Sequence, residues 1–207
     1  LELANPGQQI VDAEQYNQIF SMHGTTMIFL FIIPILAGLA NYAVPLQIGA
    51  RDMAFPRLNA LSYWLLLFGG IIVYLGWLAP GGAAANGWTS YPPLSAKEFS
   101  PGRGTDLWLV GLALGGTSSL IGSINFIVTI LRLRAPGMTW MKMPLFAWTV
   151  LTMAFMILLA TPILTGGMAM LLADRNLGTQ FFRVDAGGDP VLWQHFFWFY
   201  SHPAVYI

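Results

Sequence analysis

The sequence predicts an all-α fold, a polytopic membrane helix bundle of about five transmembrane helices. Three observations point there. Of the 207 residues, 56% are hydrophobic and only 9% are charged, against a usual charged share of roughly 25%. Such a chain cannot cover a water-facing surface. Five long apolar stretches are separated by loops that carry the Gly, Pro and charge, and a spanning helix needs about 20 largely apolar residues. None of the stretches alternates apolar with polar residues as a membrane strand would, and in lipid an unpaired backbone group is too costly for anything but a helix or a closed barrel.

The first stretch is Ile19–Leu46, with Pro34 inside it, so a local kink is expected there. "QIGARDMAFPR" leads to the second, Leu58–Leu78, and "PGGAAANGWTSYPPLSAKEFSPGRGTD" to the third, Leu107–Leu131. "RLRAPGMTWMK" leads to the fourth, Met143–Leu172, where Pro162 predicts a second kink, and "DRNLGTQFFRVDAGGDP" to the fifth, Val191–Ile207. The first four are long enough to span. The fifth stops inside a helical pattern. The expectation is one integral-membrane domain over residues 1–207, truncated in its last helix.

Net charge is zero, which argues against nucleic acid as a partner. The absence of cysteine excludes disulfides, Cys-ligated zinc and thiolate chemistry. The N-terminal "LELANPGQQIVDAEQ" does not resemble a signal peptide. Arg51, Arg57, Arg132, Arg134 and Lys142 fall on one side of the bundle with a single acid, Asp52; four basic residues and eight acids fall on the other. The positive-inside rule makes the first side cytoplasmic.

Ionisable and polar groups inside a membrane are expensive and so are functional candidates. The three histidines are His23, His195 and His202, and Asn41, Asn59 and Asn125 are the notable amides within or opening the spans. Steps of four put Trp198, His202 and Tyr206 in one row of the fifth stretch, with Tyr200 and Ala204 in another. A packed aromatic helix with hydrogen-bonded His and Tyr explains that row. So does a metal site, since neutral imidazole suits copper, iron and zinc. His23 reads as a satisfied membrane histidine or as an axial haem ligand, with Gly24 beside it leaving room for a flat group. Asp52 reads as a loop residue paired with Arg51 or Arg57, or as a proton-uptake point with Asn41, Asn59 and Asn125 behind it.

"GLANYAVPLQIGARDMAFPRLNALSYWLL", "GWTSYPPL", "GSINFIVTI", "DRNLGT" and "WQHFFWFYSHPAVYI" resemble, in order and spacing, subunit I of haem–copper terminal oxidases of the cytochrome c oxidase type. The resemblance covers the whole chain and implies the second to sixth helices of a larger twelve-helix subunit. It implies an enzyme that reduces O2 to water with coupled proton translocation, inactive as this fragment alone. It implies two haems, one low-spin and one high-spin, and copper, with further ligands outside the fragment. His23 then resembles an axial ligand of the low-spin haem iron, and His202 a ligand of the active-site copper. Tyr206 resembles the catalytic tyrosine covalently joined to that ligand. Trp198, Trp88 and Tyr91 resemble residues close to the cofactors. Asp52, Asn41, Asn59 and Asn125 resemble the start and lining of a proton pathway, whereas His195 matches a position that is not a ligand. Implied partners are other oxidase subunits, especially subunit II, cytochrome c or quinol as electron donor, and the lipid bilayer. The implied location is the bacterial plasma membrane, ahead of the mitochondrial inner membrane.

One departure matters. Most such oxidases have Gly-His-Pro-Glu-Val-Tyr where this chain reads Tyr200, Ser201, His202, Pro203, Ala204, Val205, Tyr206. The carboxylate is absent, and the Tyr-Ser pair resembles a bacterial variant of the A-type group. Tyr200 lies one turn before Ala204, so its hydroxyl and that of Ser201 join the expected proton path. Rival readings are a quinol oxidase, a nitric oxide reductase relative, which lacks the cross-linked tyrosine, and a cofactor-free proton or solute channel, which leaves the His-Pro-x-x-Tyr constellation unexplained.

Overall fold

The computed structural model describes residues 4, 5, 7 and 9–206. Glu2 of the charge tally and Ile207 of the fifth stretch lie outside the described residues. All five apolar stretches are helical. The first helix, α1, is Ala13–Ile48. It begins earlier than the apolar stretch because Asp12 and Gln15 form a capping box in the polar lead-in: the Gln15 N–H donates to Asp12 Oδ1 at 2.7 Å and the Asp12 N–H to Gln15 Oε1 at 3.4 Å. The kink expected at Pro34 takes the form of a π-helical stretch, Thr26–Ile32. There the Ile33 N–H reaches back five residues to the Ile28 carbonyl. Proline lacks an N–H and crowds the carbonyl four residues before it, and the wider turn makes room for the ring. Gly49 ends α1 at φ +72°, a left-handed cap open to glycine. A Cβ there would also lie 2.8 Å from Ala135 Cβ.

Helix α2, Pro56–Leu75, starts with proline in its first turn and ends in a short 3-10 turn, Gly76–Leu78. Helix α3, Gly104–Arg132, has 29 residues, about 43 Å at 1.5 Å per residue. Helix α4, Leu145–Asn176, continues through Pro162. Helix α5, Pro190–Ala204, is capped by Asp189, whose carboxylate accepts from the Val191 N–H at 2.8 Å. It ends before the predicted limit. The Val205 and Tyr206 N–H groups each reach back only three residues, to His202 and Pro203, so Tyr206 sits in a tightened turn after the helix.

The helices pack in sequence, α2 on α3, α3 on α4 and α4 on α5, with α1 against α3 and α4. Lipid tails are as apolar as leucine, so close approach rather than hydrophobicity holds such helices. A Cβ on Gly111 would lie 2.5 Å from the Gly69 carbonyl oxygen, and one on Gly69 2.6 Å from the Gly111 carbonyl oxygen. Only glycine at both positions allows that crossing. Around the end that bears the Arg51 loop, the predicted inner end, Val44, Ile48, Met53, Phe126, Ile130 and Ala147 form one core; around the opposite, predicted outer end, Met22, Trp108, Leu164, Trp193, Phe197 and Tyr200 form another.

The charges segregate as the sequence predicts. The Ala135 N–H donates to the Ile48 carbonyl at 2.8 Å, which joins the loops bearing Arg51 and Arg134 at one end. At the other end the Arg175 side chain is fully buried and its Nε donates to Asp106 Oδ1 at 2.6 Å. Its Nη atoms donate to the carbonyls of Ser95, Ser100 and Gly102. Lys97 lies 3.5 Å from the same aspartate. Arg183 bridges Glu98 at 3.0 Å and Asp185 at 2.9 Å, and its hydrogen bond holds the exposed Asp185 carboxyl below its ordinary value.

Candidate metal and proton-transfer site

Helices α1 to α4 are long and apolar enough to cross a membrane; α5 is shorter, and His202 lies about 18 Å along it from Pro190. The four-residue step is realised: His202 Nε2 and the Tyr206 hydroxyl are hydrogen-bonded, and the rings meet edge to face with centroids 4.8 Å apart. Trp198 is on the same exposed side, its indole N–H donating to the Tyr91 hydroxyl. Tyr91 belongs to an outer loop laid across α5. In that loop Trp88 meets Phe197 at 5.3 Å and Trp198 at 5.9 Å, both edge to face, and the Thr89 carbonyl accepts from Trp193 Nε1 at 3.0 Å.

His23 projects from the opposite end of the sequence, about 15 Å into α1 from Ala13. Its ring is exposed on the surface of the chain. Gly24 lies against the Trp88 indole, two of whose side-chain carbons would be 3.3 Å from a Cβ at position 24. His195 is exposed on α5. Among the described residues no three His, Asp or Glu side chains gather into a metal-holding set.

The other face of α5 opens into a cavity of about 670 Å3 bounded by all five helices. Tyr200, Ser201 and Ala204 line one end, and Asn41 and Asn59 contribute from α1 and α2. Tyr200 is buried, with its ring stacked on Phe29 at 6.5 Å. Three buried oxygens in the lining, Asn41 Oδ1, Thr161 Oγ1 and Ser201 Oγ, have no protein partner. Buried polar atoms are almost always hydrogen-bonded, so these three are the points of the lining at which a water molecule would bind.

Two residues of the expected path lie elsewhere. Asn125 is fully buried but does not line the cavity: its Oδ1 accepts from the Phe55 N–H at 2.9 Å and its Nδ2 donates to the Phe55 carbonyl at 3.3 Å. Asp52 is exposed in the inner loop, where its Oδ1 accepts from the Met53 N–H at 2.7 Å. Its expected pairing with Arg51 or Arg57 is not among the ion pairs of the described residues.

The hydroxyls that the sequence reading passed over are Ser62, Ser118, Ser119, Ser123, Thr161 and Thr165, all in the cavity wall. Ser119 and Ser123, like Thr161 and Thr165, are one turn apart, and that spacing in an apolar helix was the available signal.

The arrangement matches a family over its full extent. The family model described as cytochrome c and quinol oxidase polypeptide I matches residues 1–207. The chain belongs to this family. It is 54% identical over 206 residues to the putative cytochrome c oxidase subunit 1-beta of Streptomyces coelicolor, covering 100% of this chain and 36% of that protein. It is 50% identical over 207 residues to cytochrome c oxidase subunit 1 of Bacillus subtilis, covering 100% of this chain and 33% of that protein. With cytochrome c oxidase subunit 1 of Corynebacterium glutamicum the identity is 49% over 206 residues, covering 100% of this chain and 35% of that protein. The chain therefore spans about a third of the length of these oxidase subunits.

Proposed function

We propose that residues 1–207 are one integral-membrane domain within the catalytic subunit of a respiratory terminal oxidase, which reduces O2 to water at a haem–copper centre and couples the reaction to proton translocation. The observation that carries this reading is the two-sided helix α5. One face presents His202 against Tyr206; the other lines a largely apolar cavity into which Asn41, Asn59 and several hydroxyls also face. A cofactor-free channel gives no reason for the first face. The relatives' names favour cytochrome c over quinol as donor. Their organisms favour the bacterial plasma membrane. Other oxidase subunits, subunit II among them, complete the assembly.

The residues fit the expected groups. An imidazole within a membrane span is costly without a partner. His23 presents its ring outward, in keeping with an axial ligand to a low-spin haem iron. His202, with Tyr206 at Nε2, fits a copper ligand, and its proximity to Tyr206 fits the covalent link that the family implies. The two haems and copper, when bound, supply the electron path and the place of oxygen reduction. His23 and His202 would supply one ligand each to these metals, and the Tyr206 hydroxyl would release a proton beside His202.

Proton supply starts at Asp52 on the inner face and runs past Asn59, Asn41 and the cavity hydroxyls to Ser201 and Tyr200. A bare charge is prohibitive there, so hydroxyls and water pass the proton by exchange. In this Tyr-Ser variant Tyr200 stands in for the missing carboxylate of position 204. Tyr200→Phe in the full-length oxidase keeps the ring's packing on Phe29 and deletes the hydroxyl. It is expected to bind both haems and copper and to lose most proton-coupled turnover, and Ala204→Glu added to it should recover part. Wild-type oxygen consumption with pumping intact in Tyr200→Phe would sink the relay.

A further inference from the structure

We infer that the α1 face made by Gln18, Ser21 and Thr25 is a positioning device for His23, setting the rotation at which its imidazole is presented to a metal. The inference rests on the ligand reading above. At 100° per residue, with His23 at zero, Gln18 lies at about 220°, Ser21 at about 160° and Thr25 at about 200°. The three are centred opposite His23. All are buried, at 6%, 1% and 0% exposure, in a helix whose other surfaces are largely apolar.

Each makes a directional bond to a different point of the scaffold. Gln18 Nε2 donates to the Gly81 carbonyl at 3.0 Å while its Oε1 accepts from the Ala83 N–H at 3.3 Å. Ser21 Oγ accepts from the Gly87 N–H at 2.7 Å. Thr25 Oγ1 accepts from Trp108 Nε1 at 2.8 Å and donates to the Ser21 carbonyl at 2.8 Å. The turn is thus tied to the outer loop at three places and to α3 at a fourth. Gly24, pressed on Trp88, closes one flank.

Apolar packing alone would hold this turn in the bundle but leave it free to roll. A roll of about 20° moves a Cα at 2.3 Å from the axis by roughly 0.8 Å, and the ring tip by more. Hydrogen bonds of fixed length and angle resist that roll. The need is local, because the π-helical stretch begins at Thr26, immediately after Thr25. A widened turn offsets the rotational register of everything beyond it, so the bonds of the three polar residues, which lie on the His23 side of that turn, act on its rotation most directly.

The test uses the purified full-length oxidase. Thr25→Val is nearly isosteric and removes both bonds of the hydroxyl. Trp108→Phe removes the donated N–H and keeps an aromatic ring, which covers the case in which Thr25→Val fails to assemble. Thr25→Ser retains the hydroxyl. The readouts are haem content, the electron paramagnetic resonance line of the oxidised low-spin haem, which reports axial ligand orientation, and its reduction potential. Thr25→Val and Trp108→Phe are expected to keep haem content but broaden and shift the low-spin line, and Thr25→Ser to restore it. Wild-type line shape and potential in both variants overturn the positioning role, provided His23→Ala abolishes the signal. A low-spin signal that survives His23→Ala refutes the ligand reading itself, and this inference with it.

Discussion

The Arg175–Asp106 pair offers a quantitative test of what locks the outer end of the bundle. The Arg175 side chain has no exposure and Asp106 retains 17%. Removing one partner of a buried pair typically costs about 3–5 kcal/mol, because the other charge is left uncompensated. The two single variants should differ. Asp106→Asn strands a fully buried guanidinium, although its three carbonyl partners remain. Arg175→Met leaves Asp106 with Lys97 at 3.5 Å and the Asn176 side-chain N–H at 3.1 Å, so the carboxylate is partly compensated. The carbonyls of Ser95, Ser100 and Gly102 then lose their donors, each worth about 1–3 kcal/mol if left unsatisfied. Both singles should therefore open the loop around residues 95–102 by about 3 kcal/mol or more. At 1.4 kcal/mol per tenfold, that is roughly a hundredfold faster hydrogen exchange at the loop amides. The double variant should cost less than the sum, with a coupling of about 0.5–3 kcal/mol. The assay is hydrogen exchange of the intact oxidase in detergent, followed by mass spectrometry. Exchange within a few-fold of wild type in either single, or strict additivity in the double, would show that the pair is not what holds the loop.

Gly111→Ala should fail to accumulate in the membrane, since its Cβ would lie 2.5 Å from both the Gly69 carbonyl oxygen and Val73 Cγ2. Gly115→Ala on the same helix meets nothing within 4 Å and should accumulate normally; equal yields would mean that the α2–α3 crossing does not depend on glycine. Asp52→Asn should slow proton uptake while the haem and copper spectra stay unchanged. Normal turnover and pumping in that variant would return Asp52 to a loop residue whose task is to cap the Met53 N–H.

The helices were legible because hydropathy reports burial in lipid, and lipid dictates helix. Their ends were less so. The α1 start lies in a polar tract whose signal is a capping box, not hydropathy, and α4 runs on past Leu172 through the charged Arg175 because that charge is sequestered by a partner on another helix. A one-dimensional reading treats Asp106 and Arg175 as loop-edge charges; only the fold puts them in contact. In the candidate site, periodicity was sufficient for contacts within one helix. His202 meets Tyr206, one turn on and just past the end of α5, and Tyr200 and Ala204, also one turn apart, line the same cavity.

Contacts across helices were not legible in the same way, and Asn125 illustrates why. A buried amide in an apolar helix can hydrate a path or clasp a backbone, and sequence gives it the same appearance in both cases. What decides is whether a neighbouring N–H and C=O are within reach. Phe55, at the entrance to α2 just before Pro56, has an N–H that donates to Asn125 Oδ1, while its carbonyl, already accepting from the Asn59 N–H at 2.9 Å, also accepts from Asn125 Nδ2. Held on Phe55, Asn125 stays out of the cavity lining. Asn41 has the opposite balance: its Nδ2 is held by the Ala37 carbonyl at 2.8 Å while its Oδ1 has no protein partner in the cavity wall. Of the two amides, Asn41 has the free acceptor that a chain of water molecules needs, and the serines and threonines one turn apart along α3 and α4 continue it. The polar lining of the membrane interior is thus set less by the amides that stand out in an apolar sequence than by small hydroxyls that pass as ordinary helix residues.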